Sequence, residues 1–155
     1  MEKTYINWNE FHKDCDKVAI KIAANNPSPD YMVALSRGGL VPARIMAEIV
    51  KPKNFLTLGL KLYDNQTAGD KVEITQELGS IVHDFDRHDR ILIVDDISDK
   101  GTTLEYAYSY MFRMTGGAHI VTACPYIKTG TSMVPTYYHK EFSSEEWLVF
   151  PFEKD

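Results

Sequence analysis

The segment Arg90-Ile91-Leu92-Ile93-Val94-Asp95-Asp96 restricts the fold more than any other in the chain, because a short, unbroken aliphatic run ends on two adjacent carboxylates. A continuous β-branched run of this kind suits a strand buried on both faces, which is the situation of a parallel sheet covered by helices. After the loop Ile97 to Gly101, the residues Leu104, Ala107, Tyr108 and Met111 keep the i, i+3, i+4, i+7 spacing of an amphipathic helix, which Gly116-Gly117 terminates. His119 to Tyr126 is predicted as the next strand.

The same order of elements occurs earlier. Tyr31 to Leu35 reads as a buried strand that runs into Ser36-Arg37-Gly38-Gly39 and then into a helix with Pro42 in its first turn. Phe55 to Leu62 reads as a second strand, Tyr63 to Lys71 as a mobile polar loop, Val72 to Thr75 as a further strand and Asp84 to Asp89 as a turn. Ahead of all this, Trp8, Phe11, Cys15, Val18 and Ile22 share one face of a helix that Asn7 caps and Asn25-Asn26-Pro27-Ser28-Pro29 ends. Two strand, loop, helix, strand units predict an α/β domain with a mostly parallel sheet and with ligands at the carboxyl ends of its strands. The aromatic tail, Tyr137-Tyr138 and Trp147 to Phe152, is too short for another such unit and is placed as late strands and a loop that cover the site. At 155 residues the chain is expected to form one domain, 1–155, with a core over about 1–127 and a hood over about 128–155.

Charge and composition exclude several functions. A net charge of -5 offers no basic excess for coating a nucleic acid. No apolar run approaches the roughly 20 residues of a membrane span. Cys15 and Cys124 form no CxxC pair, and Met1-Glu2-Lys3-Thr4 leads into polar sequence without an apolar signal core, so a cytoplasmic protein with reduced thiols is expected. His83, Asp84, Asp86, His88 and Asp89 fit no standard zinc spacing and read as a solvated connection before a buried strand.

Chemistry concentrates in Asp95 to Thr103. Carboxylates accept hydrogen bonds from sugar hydroxyls or hold Mg²⁺, while Gly101, Thr102 and Thr103 open a helix whose free N–H groups suit a phosphate. This stretch closely resembles the 5-phosphoribosyl 1-diphosphate (PRPP) motif of the type I phosphoribosyltransferases, a hydrophobic strand followed by D-D-x-x-D-T-G-x-T. Ser36-Arg37-Gly38-Gly39-Leu40-Val41-Pro42, Lys128 and the tail Trp147 to Glu153 extend the resemblance to the xanthine-guanine and hypoxanthine branch of that family. It departs from the pattern at Lys100, where the family has Thr, and at Leu62, where Ser usually precedes the loop tyrosine.

The resemblance implies the type I phosphoribosyltransferase fold, with helices flanking the sheet and a small C-terminal hood. It implies Mg²⁺ as cofactor, PRPP and a purine base as substrates, and a homodimer or homotetramer without nucleic-acid or stable membrane association. The implied activity is purine salvage, transfer of 5-phosphoribosyl from PRPP to a 6-oxopurine. In this assignment Asp95 and Asp96 hold the ribose hydroxyls, Asp96 and Glu153 serve the metal, and Asp99 takes or relays a proton near N7 of the base. Asp99, Lys100, Gly101, Thr102 and Thr103 bind the 5-phosphate. Ser36, Arg37, Gly38 and Gly39 contact pyrophosphate, with a non-proline cis peptide expected at Arg37 or its neighbour. Lys128 donates to the 6-oxygen, Trp147 stacks on the purine, backbone groups around Leu148 read position 2, and Tyr63 covers the centre.

Each residue also has a plainer reading. Asp99 would cap the helix, Lys128 would be a solvated surface lysine, Trp147 would be core, and Tyr63 an ordinary strand-end aromatic. A receiver or phosphatase-like domain is opposed by the late position of the acidic pair. The remaining alternative is a noncatalytic sensor of PRPP or nucleotide with the same fold, which Lys128, Trp147 and the acidic net charge oppose.

Overall fold

A computed structural model describes residues 1–65 and 67–154; Gln66, within the predicted polar loop, and Asp155, the last residue of the expected domain, lie outside the described residues. In chain order the elements are β1 (Glu2–Tyr5), α1 (Trp8–Asn25), β2 (Tyr31–Ser36), α2 (Leu40–Val50), β3 (Asn54–Tyr63), β4 (Lys71–Gln76), a 3-10 turn (Gly79–Asp84), β5 (Arg90–Val94), β6 (Ile97–Ser98), α3 (Thr102–Met114), β7 (His119–Ala123), β8 (Tyr126–Lys128), β9 (Lys140–Phe142) and β10 (Glu146–Val149).

The central sheet runs β4-β3-β2-β5-β7. Its inner pairs are parallel, and only the edge strand β4 is antiparallel to its neighbour β3. Period-two alternation sends β2 and β5 side chains to opposite faces. Met32, Ala34, Leu92 and Val94 join α1 and α2 on one side, while Tyr31, Val33, Leu35, Ile91 and Ile93 join α3 on the other. From β2 the chain crosses to β3 on one side, and from β5 it crosses to β7 on the opposite side. The order therefore reverses between β2 and β5, and an open crevice is left at their carboxyl ends.

Helix α1 begins as expected, with the Asn7 side chain accepting from the Glu10 amide at 2.8 Å, and it buries Phe11, Cys15, Val18 and Ile22. Trp8 departs from that face and is 54% exposed, its ring perpendicular to that of Phe11 at 6.5 Å and tilted against that of Phe152 at 6.3 Å. The apolar face also carries Asp14, whose carboxylate accepts from the Tyr126 hydroxyl at 2.7 Å and pairs with Lys140 at 3.2 Å.

The predicted strand His119 to Tyr126 is corrected to two strands in different sheets. Pro125 has no N–H to donate to a ladder, and around it the Cys124 amide bonds to the Tyr137 carbonyl while the Pro125 carbonyl accepts from the His139 and Lys140 amides. Strand β8 then pairs with β9 and with β6, a short strand inside the stretch predicted as the loop Ile97 to Gly101. Strand β10 pairs in parallel with β1, a polar segment with no strand signal of its own. The 3-10 turn was likewise not expected. Residues Asp86 and Asp89 close the next turn, their carboxylates accepting from the His88 and Asp86 amides.

Candidate active site

The crevice between β2 and β5 gathers most of the residues singled out from the sequence. Asp95 and Asp96 follow β5 directly, with the Asp95 amide bonded to the Ala123 carbonyl and the Asp96 amide to the Asp95 carboxylate at 2.9 Å. Facing them is the turn from β2 into α2. Its Ser36-Arg37 peptide is cis, at the expected position. A Cβ on Gly38 would stand 2.3 Å from Asp96 Oδ2, so glycine is what lets this turn approach the acid.

Four adjoining hollows surround these groups. One of about 380 Å³ follows Asp95 through Leu104 and reaches Asp64 and Trp147. Another, of about 540 Å³, lies between the cis turn, the end of β3 and the acidic pair. A third, of about 160 Å³, joins Asp96 and Asp99 to Lys128, Trp147, Leu148 and Glu153. The fourth, of about 650 Å³, opens between Arg37, Trp147, Phe152 and Glu153. Asp96, Trp147 and Glu153 each line three of the four, so the hollows form one continuous site.

Electrostatically the acidic pair is under stress. Burial, then the charge of Asp96, raises the Asp95 carboxyl well above its usual range. Burial also lifts Asp96 to about 6, with repulsion from Glu153 adding to it. Glu153 is fixed by a tight turn in which its carboxylate accepts from the Phe150 amide at 3.0 Å. A cation or a set of hydroxyl donors in this place would relieve the repulsion.

Helix α3 opens at Gly101, whose φ of 94° suits glycine, and no side chain caps it. The amides of its first turn are left for an anion. Asp99 therefore is not the cap; it is exposed and borders two of the hollows. Lys100 does not point its ammonium at those amides. It pairs with Asp64 at 2.8 Å and Asp70 at 3.7 Å, and the Thr102 hydroxyl reaches Asp70 at 3.4 Å. Two loop carboxylates thus engage donors of the helix start, a contact with no signal in the sequence beyond the acidity of that loop.

Lys128 ends β8 with 5% of its surface exposed, which excludes the solvated reading; its Nζ donates to the carbonyl of Ser143 at 3.2 Å and to that of Glu146. Trp147 is 56% exposed and is not core. Leu148 beside it is buried, and Tyr63 lies at the end of β3 under the Lys61 ammonium, outside the four hollows. Leu62 and Asp64 reach the site in its stead.

Comparison with known proteins agrees with this geometry. The phosphoribosyl transferase domain family matches residues 2–154. Xanthine phosphoribosyltransferase 1 of Saccharomyces cerevisiae is 37% identical over 124 residues, covering 70% of this chain and 59% of the yeast protein, so the chain spans less than two thirds of that relative. Xanthine-guanine phosphoribosyltransferase of Cereibacter sphaeroides is 31% identical over 153 residues, covering 96% of this chain and 86% of that protein. Among solved structures, purine phosphoribosyltransferase from Pyrococcus horikoshii superposes with a TM-score of 0.82 at 32% identity, covering 100% of this chain and 97% of that one. With a mostly parallel α/β sheet, an acidic pair at its strand-order reversal and a family match over nearly its whole length, the chain belongs to the phosphoribosyl transferase domain family.

Proposed function

We propose that the chain is a purine phosphoribosyltransferase of nucleotide salvage, transferring the 5-phosphoribosyl group of PRPP to guanine, xanthine or hypoxanthine and releasing pyrophosphate. The observation that carries this reading is the single site in which an acidic pair, an uncapped helix start, a buried lysine and an exposed tryptophan border connected hollows. A ring nitrogen of the base bonds to C1 of the sugar as the C1–O bond to pyrophosphate breaks, through an oxocarbenium-like state that depends on positioning and charge. Asp95 and Asp96 hold the 2- and 3-hydroxyls. The amides of Gly101, Thr102 and Thr103 receive the 5-phosphate, with Asp99 and Lys100 beside them, and the turn Ser36 to Gly39 receives pyrophosphate. Asp99 takes or relays the proton that the base gives up.

Lys128 has donors only and so favours a 6-oxo acceptor over a 6-amino group. Trp147 offers its exposed face for stacking, worth about 1–3 kcal/mol, and backbone groups at Leu148 read position 2.

The donor set fits Mg²⁺. That ion takes one or two carboxylates and fills its remaining positions with waters and substrate phosphate oxygens; Asp96 and Glu153 supply carboxylates on a common hollow, where their mutual repulsion favours a cation. When bound, the ion neutralises charge on the leaving pyrophosphate.

We place the protein in the cytoplasm, where its two buried, unpaired cysteines stay reduced. No helix among the described residues is long and apolar enough to cross a membrane. We expect a homodimer or homotetramer. Pyrophosphate release from PRPP with Mg²⁺, measured with each purine separately, is expected for the 6-oxopurines. Activity with adenine alone contradicts the role of Lys128, and PRPP binding without turnover favours a noncatalytic sensor.

A further inference from the structure

Lys128 is buried, and its surroundings determine how many of its donors a ligand can use. An ammonium has three. One goes to the Ser143 carbonyl and one to the Glu146 carbonyl, which leaves one for the hollow shared with Asp99 and Trp147. The two acceptors flank one turn, Ser143 ahead of it and Glu146 at the start of β10.

That turn is held by the Glu146 side chain. Its Oε2 accepts from the Ser143 amide at 2.8 Å, and its Oε1 accepts from the Thr4 hydroxyl at 3.1 Å. The Glu146 amide returns a bond to the Ser143 carbonyl at 3.1 Å. Thr4 lies on β1, which pairs with β10 in the register Glu2 to Glu146 and Lys3 to Trp147. The carboxylate lines none of the four hollows, yet it orients both carbonyls that hold the lysine and ties them to the first strand of the chain.

We propose that Glu146 is a positioning residue for Lys128, braced by Thr4, so that selectivity for the base depends on the N-terminal strand. The proposal rests on the purine transferase reading above. If the turn loosens, the ammonium loses its fixed acceptors, its free donors are no longer limited to one direction, and an acceptor at position 6 is recognised less sharply.

The test is steady-state kinetics of the full chain with PRPP, Mg²⁺ and each purine. Glu146→Ala is expected to raise KM for the 6-oxopurine about tenfold and to narrow the preference over adenine, with KM for PRPP within about twofold of wild type. Glu146→Gln keeps an oxygen for the Ser143 amide and recovers most of the loss. Thr4→Val keeps its shape but cannot donate, and raises KM for the purine about two- to threefold. Unchanged purine KM and base preference in Glu146→Ala, or equal rises in both KM values, overturns the positioning role. If Glu146→Ala does not fold, Thr4→Val decides: a rise confined to the purine KM supports the proposal, and no change overturns it. A wild-type chain that fails to release pyrophosphate whichever purine is supplied overturns the reading of the site instead, so the two failures are distinct.

Discussion

Asp96, proposed above to hold the ribose hydroxyls and the metal, is kept at the expense of the fold. With its carboxyl raised from 3.8 to about 6, the folded chain binds a proton there more readily than the unfolded chain does. Ligand-free stability therefore falls as pH rises through that window and stays lower above it. Asp96→Asn removes the ionisation and is expected to stabilise the chain by about 1–2 kcal/mol near pH 8 and hardly at all near pH 4. Urea midpoints at the two pH values check this, and equal gains at both would exclude it. Gly38 has the converse role. In Gly38→Ala the new methyl meets the movable Asp96 carboxylate and no backbone atom within the same distance, so turnover is expected to fall about tenfold or more while the thermal midpoint shifts by only about 2–4 °C. Lys128 and Trp147 were legible as residue types, but their exposures were not. Burial of a lysine on a short strand depends on the carbonyls of a turn many residues later, and no local pattern records that.

The start of α3 and the β3–β4 connection act as a pair. Lys100, Asp64 and Asp70 link them by exposed ion pairs, and the lysine accordingly raises its own affinity for a proton while Asp64 is lowered. Exposed pairs of this kind are weak and salt-sensitive. Lys100→Thr is expected to speed amide exchange at Asp64 and Asp70 by about two- to fivefold in low salt, with the difference shrinking as salt is added; identical exchange in the two proteins would show that the pairs do not restrain the connection. The helices α1 and α3 followed from periodicity because each turns one apolar face inward, and the inner strands from unbroken apolar runs because both of their faces are covered. Strands β1 and β6 did not, since each is short and exists only by pairing with a segment distant in the chain.

Across the molecule, Asp14 joins the first helix to the tail. It is 2% exposed on the apolar face of α1 and meets the Tyr126 hydroxyl, His139 at 3.3 Å and Lys140 at 3.2 Å, on β8, the connection after it and β9. Asp14→Ala leaves those partners incompletely matched and is expected to cost about 2–4 kcal/mol, read from denaturant unfolding. A loss below about 0.5 kcal/mol would show that Glu10, which also reaches Lys140, replaces it. The parallel α/β core and the acidic loop could be read in one dimension because both rest on local facts: apolar runs long enough for buried strands, helical spacing, and carboxylates immediately before a glycine and two threonines. The arrangement that makes these a site needed three dimensions. The lysine cage, the tie from Thr4 to Glu146, and the acids opposite Lys100 all join residues far apart in the chain, and such contacts arise only when folding brings the ends of separate strands together.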